Sequence, residues 1–406
     1  MEDAITRKVG RICSLAYFMS YVMRLGFAAG LVEITAALGV SQSSAGLACT
    51  GLFITYGAGQ FLSGYLGDRI PPRVLITAGM LGAAACNIGV AIAPGVGAMI
   101  ALWCINGLFQ ALLWPPMTRL MAETLSPEGY LKASRDVSVA ANFATMAVYA
   151  LMSLFVARRL WQGYFYLSAV LGAAAALVFW FKTKDLSDSV QAPVRLTIRS
   201  RTKIAPIALA SGLPLIMLAI VMQGMLRDGV TTWMPSLIAD TANMGASASV
   251  LSAAVLPVFS VVCIDLAARL QRRVPNDTLS SLFLFGVSAA AALVMLPLMG
   301  SAVASIACMA VITGCAHAIN FLLICHVPSY FAPYGCVSSI SGLINSCTYI
   351  GSAVSTYGIA LLSDACGWQA TVALWCAIAL LGALLCLSVV RRWRRFVSEG
   401  AGRPAA

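Results

Sequence analysis

Charge is what this sequence has least of. Asp, Glu, Lys and Arg make up 10% of it, against roughly a quarter of an ordinary soluble domain. Such a chain cannot clothe a water-facing surface, which excludes soluble enzymes and binding modules. Acid is scarcer than base: 15 Asp and Glu stand against 26 Lys and Arg, for a formal net charge of +11. Histidine is nearly absent, with two in 406 residues. The 13 cysteines are scattered singly through apolar runs with no C-x-x-C pair, the pattern of small buried hydrophobes rather than of a disulfide framework or a metal site. No nucleophile and base pairing and no phosphate-cradling glycine loop is present. Neither a metal, a cofactor nor an enzymatic activity is expected.

Apolar residues fill the space that charge leaves, at 60% of the chain. They come in runs long enough for the roughly 20 helical residues that cross a hydrocarbon core. Their length and lack of strict alternation argue against barrel strands, so helices remain, because lipid offers the backbone no other partner. Breaking at polar and Gly/Pro punctuation predicts twelve spans, at 11–37, 43–67, 74–93, 98–122, 131–157, 162–182, 206–239, 246–267, 278–299, 301–326, 335–363 and 366–391. The first is too long for a signal-peptide core and is expected to be retained. The one long polar connection, "KTKDLSDSVQAPVRLTIRSRTK" (182–203), falls between spans 6 and 7. It predicts an N-terminal six-helix bundle (1–182), a cytoplasmic linker (183–205) and a C-terminal six-helix bundle with a basic tail (206–406).

The basic residues set the orientation. With both termini cytoplasmic, 21 of the 26 Lys and Arg lie at the termini and in the cytoplasmic loops. Only Arg158 and Arg159 fall outside, and Arg24, Arg119 and Arg227 lie within spans. This is the positive-inside pattern of a multi-pass protein of an inner or plasma membrane. The excess charge orients the chain, helped by anionic lipid, and nucleic acid is not an expected partner.

The halves repeat. Arg24 and Arg227 are 203 positions apart, as are Asn142 and Asn345; Trp161-Gln162 and Trp368-Gln369 open the last span of each half at an offset of 207. Six spans per half is even, so the repeats run parallel, related by an axis along the membrane normal. Equivalent residues of spans 1 and 7 are expected to approach one another across it. An arginine within the bilayer must face protein or a wet cavity, and two related arginines at mid-depth point to binding. Tyr17, Tyr21 and Arg24, at i, i+4 and i+7, share a helix face. Tyr56 and Gln60, and Asn345 and Tyr349, repeat the i, i+4 spacing on spans 2 and 11, and Asn142 is the repeat partner of Asn345. Such a cationic, donor-rich lining suits an anion with several oxygens, because arginine offers a planar fork matched to phosphate, sulfonate or carboxylate.

"GYLGDRIPPR" (64–73) resembles the signature loop of the major facilitator superfamily, with a degenerate echo in "IDLAARLQRR" (264–273). "NGLFQALLWPPMTRLM" (106–121), with "YVMRLGF", "LRDGVTTWMPSL" and "TYIGS", is similar to the organophosphate:phosphate antiporter branch, which includes glycerol-3-phosphate and hexose-phosphate transporters. The resemblance implies that Arg24 and Arg227 grip the substrate phosphate while Tyr17, Tyr21, Tyr56 and Tyr349 line the path. It also makes Asp68, Arg69 and Arg73 a conformational latch that pairs with neighbouring helix ends. Where phosphate exchangers carry further basic groups, this chain has Leu25, Gln60 and Ala141. The lower positive charge favours a less charged organic anion over simple exchange for inorganic phosphate.

Several polar residues are left. Asp228 leaves the helix about 100° from Arg227 and is either a counter-ion for the empty site or a proton-coupling carboxylate. His326, half a turn away in net rotation and just before Pro328, is expected near the cytoplasmic mouth, whereas His317 could face the path; for each taken alone, a satisfied buried histidine is the stronger reading. Arg119 is expected to be structural, and Pro115 and Pro116 to bend span 4. The expectation is therefore an all-α membrane protein with twelve transmembrane helices in two pseudo-symmetric six-helix bundles, the major facilitator fold. It would act as a monomeric secondary transporter of a small organic anion by alternating access, coupled to inorganic phosphate in antiport or to a proton. The alternatives are a transporter-derived sensor of a sugar phosphate and a proton-coupled drug efflux carrier.

Overall fold

The computed structural model describes residues 2–40, 42–184, 204–242 and 255–401, and all regular structure among them is helical. The order is α1 (Glu2–Ala29), α2 (Leu31–Leu38), α3 (Gln42–Gly67), α4 (Pro72–Ala91), α5 (Val96–Ala111), α6 (Trp114–Thr124), α7 (Pro127–Val156) and α8 (Trp161–Lys182). After the polar connection come α9 (Ile204–Ser211), α10 (Leu213–Ala242), α11 (Val255–Arg273), α12 (Asp277–Met295), α13 (Ala302–Ile319) and α14 (Val337–Ala401). Nine helices among the described residues are long and apolar enough to cross a membrane. The twelve expected spans map onto this order. Span 8 was expected from residue 246 and is described from Val255; the expected linker (183–205) lies almost wholly outside the described residues.

Where the helices depart from single rods, local chemistry explains the break. Span 4 divides at Leu112 and Leu113 because Pro115 and Pro116, at the start of α6, supply no N–H to the preceding turn. Span 7 divides at Gly212, whose φ of +77° belongs to glycine. Spans 11 and 12 run together as α14, interrupted at Gly367 with φ +78°; the backbone restarts at Trp368, as α8 starts at Trp161. α13 widens into a π-helix at Asn320–His326 and tightens into a 3-10 helix at Val327–Tyr334.

The described chain forms two compact units. The first comprises residues 1–201 with 334–346, and the second 202–333 with 347–406. In the first, α1 packs on α7 and α8, α3 on α5, and α4 on α5 and α8. Its core is aromatic: Trp103 stacks between Phe27 at 5.4 Å and Phe165 at 5.8 Å. α3 and α5 touch closely enough that a Cβ on Gly107 would stand 2.6 Å from the Leu52 carbonyl oxygen, and Thr55 bonds across to the Cys104 carbonyl at 2.7 Å. The segment 334–346, the start of α14, belongs to this unit through a similar crossing, with a Cβ on Gly64 falling 3.2 Å from Gly342 Cα. In the second unit α13 packs on α10, α11 and α12. α10 crosses the rest of α14 where a Cβ on Gly224 would meet Thr348 Cα at 3.1 Å.

Candidate functional site

In the first unit the predicted face of α1 assembles. The Arg24 side chain is buried, with the residue 5% exposed. Its guanidinium lies over the rings of Tyr21 at 4.2 Å and Tyr56 at 4.9 Å, so the aromatic quadrupoles compensate for the lost water. Tyr17 packs edge-on to Tyr21 at 5.2 Å and against Trp114 of α6 at 5.0 Å. One turn along α3 from Tyr56, Gln60 is fully buried. Its side-chain oxygen accepts from Asn345 Nδ2 at 3.0 Å. Next to it Ser346 donates to the Gly57 carbonyl at 3.0 Å. Tyr17, Tyr21, Arg24 and Tyr56 thus form one cluster, and Gln60 and Asn345 a bonded pair one turn of α3 away. Asn142 instead donates to the Ser138 carbonyl of its own helix, and Tyr349 falls, half-buried, in the second unit.

Sequence reasoning missed the groups that hold α1 at this depth. Tyr164 Oη donates to the Val22 carbonyl at 2.9 Å, and both Asn87 and Asn106 donate to the Met23 carbonyl, at 2.9 and 3.2 Å. Ser20 and Gln110 bond each other, hydroxyl to amide oxygen at 2.8 Å and amide nitrogen to backbone carbonyl at 3.1 Å. A helix needs no such partners for its own carbonyls, so these bonds fix the position and rotation of α1. The available signal was Asn and Gln embedded in apolar runs of spans 3 and 4.

In the second unit Arg227 and Asp228, although they leave the helix about 100° apart, form a two-pronged pair, Nε to Oδ1 and Nη2 to Oδ2, each at 2.7 Å, a geometry in keeping with the counter-ion alternative for Asp228. Rotation about the side-chain bonds closes the gap that the helical angle opens. The third guanidinium nitrogen, Nη1, reaches Asn320 Oδ1 on the π-turn at 3.4 Å. Ser352 of α14 donates its hydroxyl to Asp228 Oδ2. His317 of α13 lies within electrostatic reach of both charges. His326 is elsewhere: its Nδ1 meets the buried Asp277 at 2.6 Å, with Trp393 Nε1 on the other carboxylate oxygen at 3.3 Å.

The latch residues lie at the α3–α4 turn. Asp68 accepts from the backbone N–H groups of Ser338 and Ser339, each at 2.9 Å, capping the start of α14. Burial pushes the Asp68 carboxyl above the usual aspartate range, opposed by these bonds and by the Arg119 charge. Arg119 itself bonds the Gly67 carbonyl at 2.8 Å and Glu123 at 2.9 Å. Arg69 stacks on Tyr65 at 3.4 Å. Arg73 bonds the Trp180 carbonyl at the end of α8 and lies 3.7 Å from that ring.

The family model described as Major Facilitator Superfamily matches residues 13–356. The chain belongs to that superfamily. Its members are transport proteins rather than enzymes. A probable hexose phosphate transport protein of Chlamydia trachomatis (serovar D) is 24% identical over 184 residues, covering 44% of this chain and 39% of that protein. The membrane sensor protein UhpC of Escherichia coli (strain K12) is 34% identical over 107 residues, 26% of this chain and 24% of its own. The chain therefore spans about two-fifths or less of the length of these curated relatives. Among solved structures, the proton:xylose symporter XylE, bound to 6-bromo-6-deoxy-D-glucose, superposes with a TM-score of 0.77 at 12% identity, covering 96% of this chain and 97% of that one. That likeness is one of fold: the twelve-helix, multi-pass membrane architecture expected from the sequence.

Proposed function

We propose that this chain is a secondary transporter of a small organic anion of the organophosphate type, working by alternating access, with the anionic group held by Arg24 and Arg227 together. The carrying observation is that each unit keeps an arginine inside a long apolar helix, Arg24 against the rings of Tyr21 and Tyr56 and Arg227 bonded to Asp228 and Asn320. A guanidinium fork matches a phosphate edge in geometry as well as charge. An anion gripped from both halves changes their equilibrium through its differential affinity for the two states, which is what transport requires. The Chlamydia relative is named for hexose phosphate, in keeping with this class of substrate. Tyr17, Tyr349 and Asn142 line the route. Gln60, bonded to Asn345 and uncharged, keeps the site less positive than two arginines and a lysine would, favouring a headgroup of low charge.

In this reading Asp68 is the latch: while it caps the start of α14, the segment 334–346 stays on α3, and its release, with Arg69 and Arg73 holding the turn, lets the segment leave. The halves 1–182 and 206–406 move about the linker 183–205, in an inner or plasma membrane with both termini cytoplasmic, as a monomer. The coupling partner is inorganic phosphate or a proton.

Counterflow in proteoliposomes tests the proposal, with sn-glycerol 3-phosphate, glucose 6-phosphate, and sulfonated and carboxylated metabolites as probes. Wild type exchanges at least one of them, whereas Arg24→Lys and Arg227→Lys, which keep charge but lose the fork, fall by tenfold or more. Full activity after replacing both with glutamine would refute the clamp. A sensor of sugar phosphate is the second reading, favoured by the name of the Escherichia coli relative; binding without flux would select it. A drug efflux carrier for lipophilic cations is disfavoured by two arginines at the site.

A further inference from the structure

An incoming oxyanion and Asp228 need the same thing. The carboxylate already occupies Nε and Nη2 of Arg227 at 2.7 Å each, the edge that a phosphate or carboxylate ligand would take. A substrate that takes this edge of Arg227 displaces Asp228. Left ionised, Asp228 would lose its bonded partner and stand next to a second anion, and both desolvation and repulsion favour its neutral form.

The surroundings of Asp228 are built for either protonation state. The Ser352 hydroxyl has one hydrogen and two acceptors within reach, Asp228 Oδ2 and the Thr348 carbonyl, the latter at 2.9 Å. Facing a carboxylate, it donates to Oδ2. Facing a carboxylic acid, it turns its hydrogen to Thr348 and accepts the new O–H through a lone pair. Neither state strands a buried polar group. The other charged or titratable groups around Asp228 among the described residues are Arg227 on its own helix and His317 on α13. The Asp228 side chain is 32% exposed.

We infer that Asp228 releases the Arg227 guanidinium to the transported anion and takes up one proton in exchange, making the protein an anion–proton symporter rather than a phosphate exchanger. This rests on the reading of Arg227 as an anion-binding group. In the step, an O–H bond forms at an Asp228 oxygen with a proton from water, and the Arg227–Asp228 ion pair is replaced by an Arg227–anion pair. Charge also balances over the cycle. Empty, the site holds two arginines and one aspartate, net one positive; loaded with a monoanion and a proton, it again holds net one positive. An empty carrier no more charged than a loaded one is free to reorient, as a symporter must and an obligatory exchanger must not. The favoured substrate is accordingly a monoanion or the singly ionised form of a phosphate ester.

The test uses the full chain in proteoliposomes without internal phosphate, with glucose 6-phosphate and sn-glycerol 3-phosphate as probes and valinomycin with potassium clamping the voltage. Acid outside drives accumulation by wild type severalfold above equilibrium. In weakly buffered detergent solution at about pH 5, where the phosphate ester is itself a monoanion, adding the transported probe takes up about one proton per protein. Asp228→Asn abolishes both, and its counterflow, whatever its rate, varies with pH only as the probe's own second ionisation does. Ser352→Ala moves the pH midpoint of uptake, which keeps the inference open to refutation if Asp228→Asn fails to fold. Counterflow by wild type without proton uptake, or acid-driven accumulation by Asp228→Asn equal to wild type, overturns the inference and leaves the transport reading standing. Neither counterflow nor binding of any probe by wild type overturns both.

Discussion

Gly342→Ala should undock the start of α14 from α3. A Cβ at Gly342 would stand 2.8 Å from Gly64 Cα and 3.0 Å from Gly64 N, and a Cβ at Gly64 would stand 2.8 Å from the Ser338 carbonyl oxygen. These are backbone atoms, which cannot rotate away as the tip of a side chain can, so the helices must separate. Overpacking of this kind costs about 1–3 kcal/mol. Alanine also gains about 1 kcal/mol over glycine in a helix, but that gain is present whether the segment is docked or free, and it cancels from the docking equilibrium. At a factor of ten per 1.4 kcal/mol, the docked-to-undocked ratio falls by about 5- to 150-fold. Cys336 lies within the segment and is 6% exposed, so its alkylation by N-ethylmaleimide, read by peptide mass spectrometry, reports release. Labelling should accelerate by at least fivefold in Gly342→Ala and stay at the wild-type rate in the control Gly286→Ala, where nothing lies within 4 Å of the added carbon. An unchanged Cys336 rate in a folded Gly342→Ala protein would refute the reasoning.

Tyr56→Leu removes one of the two rings over Arg24, a desolvated cation–π contact of about 2 kcal/mol, and should raise the counterflow KM roughly tenfold or more, while Tyr56→Phe stays within a few-fold; equal effects would mean that the phenol oxygen matters and the ring does not. The buried Asp277–His326 pair should be stiff: His326→Gln leaves Asp277 with Trp393 and the Tyr330 hydroxyl as side-chain partners, and a destabilisation of about 1–3 kcal/mol is expected, seen as a lowered Tm in detergent, with a double-mutant cycle against Asp277→Asn returning a coupling above about 1 kcal/mol. For Asp68, the folded-state pKa is raised above its unfolded value, so its contribution to stability is fully present below the unfolded pKa and is lost as pH rises through the folded one. Wild type should accordingly gain Tm relative to Asp68→Asn as the buffer is acidified from pH 7 to pH 5; a relative loss would show that the bonds from Ser338 and Ser339 outweigh burial.

Much of the architecture was legible because, in lipid, each segment must satisfy its own backbone. The predicted span 162–182 is α8 at Trp161–Lys182, and 74–93 is α4 at Pro72–Ala91. Breaks were readable where a residue type forces them, as Pro115 and Pro116 do after α5, and less so at Gly212 and Gly367, since many glycines in this chain sit within unbroken helices for close packing. The face carrying Tyr17, Tyr21 and Arg24 followed from helical spacing alone, and the rings of Tyr21 and Tyr56 do lie on Arg24. Spacing left open whether Arg227 and Asp228 pair, because the angle between two Cα–Cβ bonds does not constrain where long, flexible side chains end.

What the amino-acid order determined by itself is the set of apolar helices and which polar groups each carries on which face, because both depend only on the local 3.6-residue repeat and the length of apolar runs. What only the tertiary structure decided is which of those groups meet. Gln60 and Asn345 bond across 285 positions of sequence, and Asp68 caps a helix 270 positions away, contacts for which no local rule exists. They form because a polar group taken out of water must find its partner wherever packing brings one.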